Sequence, residues 1–154
     1  SGLPSDLIKG MWSENPKTFH DVLGYLEQTY VSNPSDTVFA YSNIGHSVLG
    51  ILIERLSGKA YEDYIQSEIL TPLKMANSQF SPGLQGTGAS KHYENKKAQH
   101  DLKIRDVPAG GLNTTVKDLA AFIKAINTNA EQGSHALTSK DSQTEMYRNQ
   151  LEKV

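Results

Sequence analysis

The chain has 154 residues, a length that suits one compact domain with a buried core, and we expect a single helical domain over residues 1–154. Apolar residues make up 37% of it and charged residues 21%, which is ordinary for a globular protein and argues against wholesale disorder. With 15 basic and 17 acidic side chains the net charge is −2, and no basic stripe is present, so nucleic-acid binding is not expected. The absence of cysteine excludes disulfides, thiol catalysis and cysteine-ligated metals.

The longest apolar run without a charged residue extends from Val38 to Ile53. It is too short and holds too many polar residues for a membrane-spanning helix, so no span is expected. No signal peptide is recognisable either. Because the chain starts at Ser1 without a methionine, we expect it to be processed or cut from a longer protein.

The first 15 residues have the composition of a loop that lies against another part of the molecule, with Trp12 in an irregular context. Thr18 and Asp21 then have the spacing of a capping box. They precede apolar residues at helical intervals, which predicts a helix from about Phe19 to Val31.

The most apolar stretch follows the triplet Tyr41-Ser42-Asn43 and carries two rows of apolar residues at helical spacing, which predicts a helix buried over most of its circumference. The rows are Ile44, Val48 and Leu52, and beside them Leu49, Ile53 and Leu56. Ser42 or Asn43 is suited to cap the first turn, and Gly58 is suited to end the helix in the left-handed conformation. Tyr41 and Asn43 thus lie beside free backbone amides, where positive potential favours anions.

After this helix, residues Ala60 to Leu70 predict a second amphipathic helix that Pro72 stops. The pattern weakens over residues 77–107, which receive no assignment beyond a short, polar and extended segment from Lys91 to Lys97.

Small residues predict one close approach between chain segments. In Pro108-Ala109-Gly110-Gly111 the side chains are minimal, as happens where a second chain segment or a ligand must come near. Gly45 and Gly50 likewise leave room for neighbours on the central helix.

Two further pairs resemble capping boxes near the end of the chain. Thr115 with Asp118 precedes a clear apolar helical stripe, and Thr138 with Asp141 opens a last, weakly amphipathic helix through about Leu151.

Most familiar chemical motifs are missing. The five histidines include no pair at helical spacing, which excludes an obvious metal site, and no motif for a cofactor is present. No serine lies in a Gly-x-Ser-x-Gly context, and none is followed three residues later by lysine. A complete nucleophile motif is therefore absent from this sequence.

The sequence around Tyr41 allows two interpretations of its role. A tyrosine before a helix is most often an interface ring whose hydroxyl bonds to a nearby backbone group. As a phenolate base it would need a neighbouring cation, and the sequence offers none close by.

The order of several segments resembles one known family. They are Tyr41-Ser42-Asn43-Ile44-Gly45, Leu49-Gly50 with Leu56-Ser57-Gly58, Pro72-Leu73-Lys74-Met75, Pro108-Ala109-Gly110-Gly111-Leu112, and Thr115 to Phe122. Together they resemble the serine beta-lactamase-related family, in particular its class C, DD-peptidase and esterase-like branch. The opening Ser1-Gly2-Leu3-Pro4 also resembles the segment that follows the nucleophile helix there. The resemblance implies a mainly α chain, the helical domain of the beta-lactamase/transpeptidase-like α+β fold, with the main sheet and the nucleophile helix missing from this chain.

By the same resemblance, the parent protein is a penicillin-recognising-type serine hydrolase. The serine of a Ser-x-x-Lys motif attacks an amide or ester carbonyl and forms an acyl-enzyme. Tyr41 would be the catalytic phenol that moves a proton to or from the nucleophile and leaving group, and Asn43 the substrate-binding carboxamide that orients the lysine and the substrate amide. The implied partner is a small-molecule or peptide acyl substrate, with no metal or cofactor, and the implied location is the bacterial periplasm or cell envelope.

Neither Ser-x-x-Lys nor a late Lys-Thr-Gly or His-x-Gly strand can be read in this chain, so we expect it to be inactive alone. Two other hypotheses stay open: a helical protein-interaction module without catalysis, and an inactive structural fragment. Apolar side chains such as Trp12, Phe39 and Phe80 are expected to be exposed. We expect this surface to lead to a homodimer, a domain swap or some disorder from Asn77 to Asp106.

Overall fold

The computed structural model describes residues 2–4, 10–35, 37–83, 88–99, 102–127 and 137–149. Its helical elements are a 3₁₀ turn at Phe19–Asp21, α1 at Val22–Leu26, α2 at Asn43–Ser57, α3 at Tyr61–Ile65 with a π-helical continuation at Gln66–Leu70, α4 at Val107–Gly110, α5 at Val116–Asn127 and α6 at Lys140–Tyr147. The strands are β1 at Trp12–Ser13, β2 at Gln79–Phe80, β3 at Tyr93–Glu94, β4 at Lys97–Ala98, β5 at Lys103–Ile104 and β6 at Leu112–Asn113. The chain is mainly α, as predicted. None of the described helices is both long and apolar enough to cross a membrane.

Within the described ranges, the short strands form three antiparallel pairs. β1 pairs with β5, with Trp12 opposite Ile104, so the prediction that Trp12 lies in a loop is wrong. Two residues are too few to give a period of two in the sequence, which is why this strand was not predictable. β2 pairs with β6. β3 and β4 pair in a hairpin, so the predicted segment Lys91 to Lys97 is extended at Tyr93–Glu94 and at Lys97, with a turn at residues 95–96 between them.

The first helix is shorter than predicted. The backbone N–H of Thr18 donates to the Asp21 carboxylate at 3.1 Å, as the capping box requires, but α1 ends at Leu26 rather than at Val31. The side chains of Tyr30 and Val31 are exposed, so the described residues do not cover the apolar face predicted beyond Leu26. A helix of this length depends on packing against the rest of the protein, and α1 therefore ends where that packing ends.

The bounds of α2 match the prediction. Ser42 is the N-cap and accepts a hydrogen bond from the N–H of Gly45 at 3.1 Å, and Gly58 ends the helix at a φ of 70°. The burial prediction, however, is wrong. One stripe is buried, formed by Ile44, Ser47, Gly50 and Ile51, whereas three of the predicted core residues, Leu49, Leu52 and Leu56, are exposed.

Gly50 permits a close contact between α2 and α4. A Cβ at Gly50 would lie 2.4 Å from Cγ of Pro108, so α2 and α4 meet at a position where no side chain fits. This confirms the close approach predicted for residues 108–111. The surrounding core contains Phe19, Val22, Ile44, Ile51, Tyr61, Ile65, Leu70, Met75 and Val107.

The helix predicted for residues 60–70 is present, but its second half is π-helical, with the Thr71 N–H donating to the Gln66 carbonyl at 3.0 Å. Phe80 was predicted to be exposed and instead packs edge-on against Tyr61, with ring centroids 5.4 Å apart. Phe39 is 73% exposed and Trp12 is also exposed, which agrees with the prediction.

The last helix begins near the predicted residue but is shorter. Ser139, rather than Thr138, caps α6 by accepting from the Ser142 N–H at 3.1 Å. The helix ends at Tyr147 because Arg148 adopts an extended backbone conformation. The predicted end at Leu151 lies outside the described residues.

Candidate active site

Tyr41 and Asn43 lie together at the start of α2. The Tyr41 hydroxyl donates to Oδ1 of Asn43 at 3.0 Å, and the Tyr41 side chain is 59% exposed. Asn43 is the first residue of the helix and is half-buried. The two residues selected from the sequence therefore form one hydrogen-bonded pair that faces solvent in this chain.

Ser42, between them, joins distant parts of the chain. Its hydroxyl donates to the Pro4 carbonyl at 2.8 Å and accepts from the Gly45 N–H. The capping role was readable from the sequence because serine is a preferred N-cap. The bond to Pro4 was not, because no local pattern connects residues so far apart.

The start of α2 sets the electrostatic environment of Tyr41. Its position beside the N-terminus of α2 provides the positive potential of free backbone amides. Within the part of the chain that the structure describes, no lysine or arginine hydrogen-bonds to the phenol, whose partner is Asn43.

Asp118 joins the start of α5 to residues 77–78 through its carboxylate. It accepts from the backbone N–H of Asn77 at 2.7 Å and from the Ser78 hydroxyl at 2.8 Å, while its own N–H donates to Thr115 at 3.2 Å. Burial raises its pKa, but the hydrogen bonds from Ser78 and Asn77 outweigh burial and hold the pKa below its usual value. The predicted capping pair is thus half formed, since the carboxylate binds residues 77–78 instead of the Thr115 backbone.

A buried ion pair precedes α4. Two nitrogens of Arg105 donate to both carboxylate oxygens of Asp106 at 2.7 and 2.8 Å, and the two side chains are only 5% and 1% exposed. Sequence reasoning missed this pair, because a charged dipeptide gives no sign of burial. The pair lies directly before the first turn of α4. It therefore helps to hold Pro108, in that turn, against α2.

Away from Tyr41, the described residues include a shallow cavity but no metal-binding cluster. In the described ranges, no set of three or more His, Asp or Glu side chains could hold a metal ion. A shallow cavity of about 300 Å³ lies beside β1, β5 and β6, and its described lining includes Trp12, Leu102 and Asn113 but neither Tyr41 nor Asn43.

Comparison with known proteins decides the family. The family model described as Beta-lactamase matches residues 1–153. The chain belongs to the beta-lactamase family. Among curated relatives, it is 35% identical over 94 residues to "Probable hydrolase clz13" of Cochliobolus lunatus, covering 61% of this chain and 15% of that protein. It is 27% identical over 135 residues to "Protein flp" of Staphylococcus aureus strain MRSA252, covering 80% of this chain and 26% of that protein.

Solved structures support the same fold. A class C beta-lactamase superposes with a TM-score of 0.65 at 25% identity, covering 88% of this chain and 36% of that one. The D-amino acid amidase from Ochrobactrum anthropi SV3, at 19% identity, gives a TM-score of 0.69 and covers 94% and 45%. The chain thus spans less than half the length of each of these four proteins, and its fold is the helical portion of the beta-lactamase fold.

Proposed function

We propose that this chain supplies the Tyr-x-Asn half of the acyl-transfer site of a longer serine hydrolase. The observation that carries the proposal is the Tyr41 hydroxyl bonded to Asn43 at the exposed start of α2, in a chain of the beta-lactamase family. A phenol held by a carboxamide at a helix N-terminus suits the transfer of a proton beside developing negative charge.

The reaction would use both halves of the site. The serine of a Ser-x-x-Lys motif in the longer protein attacks the carbonyl of an amide or ester, and its proton passes to Tyr41 or the lysine. Tyr41 then returns a proton to the departing amine or alcohol, and Asn43 orients the lysine and the substrate amide. Water hydrolyses the acyl-enzyme and restores the serine. The lysine supplies the positive charge that the described residues do not place on Tyr41.

Amides are the first substrate class to test. Among the similar structures, the class C beta-lactamase and the D-amino acid amidase carry names of enzymes that open amide bonds. We propose a small-molecule or peptide acyl compound, either a beta-lactam, another amide or an ester, as the substrate of the longer protein.

The 154-residue chain by itself is proposed to be inactive, because it contains no Ser-x-x-Lys. The purified chain incubated with a chromogenic cephalosporin and with an activated ester should give no burst and no turnover that depends on Tyr41. A rate that disappears in Tyr41→Phe would overturn this proposal.

The coding DNA upstream of Ser1 provides the direct test of the longer enzyme, since it should encode Ser-x-x-Lys about one helix and one loop away. In that protein Tyr41→Phe should lower kcat by roughly 10²- to 10⁴-fold, the range typical of a lost acid–base group. Tyr30→Phe is the matched control, because that phenol is almost fully exposed and should leave kcat unchanged. Equal rates in both variants would contradict the role of Tyr41.

An interaction function is the second candidate, favoured by the exposed face of Leu49, Leu52 and Leu56 on α2. Apolar surface of this kind often marks an interface. On this hypothesis the chain forms a homodimer, or binds a partner in a way that survives Tyr41→Phe and Asn43→Ala. Light scattering after size exclusion should then give twice the chain mass, and a monomer that binds nothing would favour an inactive fragment.

A further inference from the structure

Ser42 makes one hydrogen bond more than helix capping requires. An N-cap needs only an acceptor, and the hydroxyl fills that role towards the N–H of Gly45 at 3.1 Å. Its single proton is used in a different direction, towards the carbonyl of Pro4 at 2.8 Å. The half-buried side chain therefore connects the start of α2 to a segment 38 residues earlier.

The segment Gly2–Pro4 is held at its other end as well. The carbonyl of Gly2 accepts from the N–H of Ser32 at 2.9 Å. Gly2 has a φ of 71°, and a Cβ there would lie 2.0 Å from the carbonyl oxygen of Asn33, so only glycine fits. Two anchors on three residues leave the segment little freedom to move relative to α2.

Between these anchors, Leu3 packs against the first turn of α2. Its Cδ1 lies 3.8 Å from the position a Cβ would take on Gly45, the residue whose N–H Ser42 caps. The hydroxyl of Ser42 thus holds together three features: the first turn of α2, the packing of Leu3 and the direction of the backbone between Tyr41 and Asn43.

We infer that Ser42 is a positioning residue that sets Tyr41 and Asn43 relative to the segment Gly2–Pro4. The inference rests on the proposed function, which puts the nucleophile upstream of this segment in the longer protein. The bond to Pro4 then fixes the distance between the two halves of the site, and Ser42 acts through its neighbours without touching the substrate.

Nuclear magnetic resonance of the 154-residue chain separates positioning from capping. Ser42→Ala should reduce the hydrogen-exchange protection of the Gly45 amide about fivefold, the usual effect of a lost N-cap, and should abolish the Leu3–Gly45 nuclear Overhauser effect. Ser42→Asp retains an acceptor but has no proton to donate at neutral pH, so it should keep the protection and still lose the Leu3 contact. Ser42→Thr, with both functions, should restore both signals.

Ser139→Ala is the matched control, because Ser139 caps α6 with the same 3.1 Å geometry and has no connection to Tyr41. It should lower protection of the Ser142 amide and leave the Leu3–Gly45 contact intact. A Ser42→Asp variant that keeps the Leu3 contact would overturn the inference and reduce Ser42 to an ordinary cap. Because Ser42→Asp retains the cap, the test holds even if Ser42→Ala unfolds.

Kinetics of the longer protein provide an independent readout. Ser42→Asp should lower kcat about tenfold at unchanged KM, and Ser42→Thr should restore it. If Tyr41→Phe has no effect on kcat, the proposed function fails, whereas the resonance experiment still reports on the bond to Pro4. If Tyr41→Phe is inactive and Ser42→Asp is as fast as the original protein, only the positioning role fails.

Discussion

Replacing Gly50 with alanine tests the contact on which the core depends. In a helix interior, alanine is normally favoured over glycine by about 1 kcal/mol. Here the new Cβ would lie 2.4 Å from Cγ of Pro108 and 2.9 Å from its Cβ. The shorter of these two distances is roughly 1 Å less than the usual carbon–carbon contact distance of about 3.5 Å. The proline ring is rigid, so either α2 or α4 has to move.

The size of the effect follows from two opposing terms. Forcing extra volume into a packed core costs about 1–3 kcal/mol, and the short distance and the rigid ring place this site at the upper end. After the gain in helix propensity of about 1 kcal/mol, the net loss is about 2 kcal/mol of the free energy of unfolding. With a urea m-value of about 2 kcal/mol per molar, the midpoint should fall by about 1 M.

Gly24→Ala is the control, because Gly24 lies within α1 and a Cβ there would meet nothing within 4 Å. It should raise the urea midpoint by the propensity gain alone. Adding Pro108→Ala to Gly50→Ala removes Cγ and should recover part of the loss. If Gly50→Ala is as stable as Gly24→Ala, the close contact between α2 and α4 does not exist and the reasoning is refuted.

Three further predictions concern ionisable groups. Arg105→Met should cost about 3–5 kcal/mol in urea unfolding because it leaves the buried Asp106 carboxylate uncompensated, whereas Lys59→Met at an exposed ion pair should barely shift the midpoint. The pKa of Asp118 is below its usual value of 3.8 in the folded state, so its stabilisation is present above that value and is lost as the pH falls through the lowered pKa. The urea midpoints of the original chain and Asp118→Asn should therefore converge in acid. Burial, with a smaller contribution from the neighbouring glutamate charge, raises the pKa of Tyr61 from 10.0 to about 12. Its stabilisation is complete below the ordinary pKa and is lost as the pH rises through the raised one, and Tyr61→Phe should remove this alkaline loss.

Helix starts and stops were predictable where the signal is local. Ser42 and Gly58 bound α2 as expected, because a hydroxyl cap and a left-handed glycine act within one turn of the helix. The end of α1 was predicted five residues too late, at Val31 instead of Leu26, since apolar spacing continues where the packing partner does not.

Burial was predicted less well than helicity, for the same reason. The periodicity of α2 gives the spacing of Leu49, Leu52 and Leu56 but not what covers them. In this chain they are exposed, while the polar Ser47 is fully buried on the opposite stripe. The spacing is nevertheless understandable if a larger protein of the family supplies the missing surface.

In the candidate site too, the local contacts could be predicted from the sequence and the distant contacts could not. Tyr41 and Asn43 are two residues apart, so their hydrogen bond follows from the start of a helix and could be expected from the sequence. The bond from Ser42 to Pro4 joins residues with no shared pattern, and only the folded chain brings them together. If that bond positions the catalytic pair, the feature that makes the site work is the one that a motif search cannot find. The Ser42→Asp variant, which keeps the motif cap and removes the distant bond, isolates that feature.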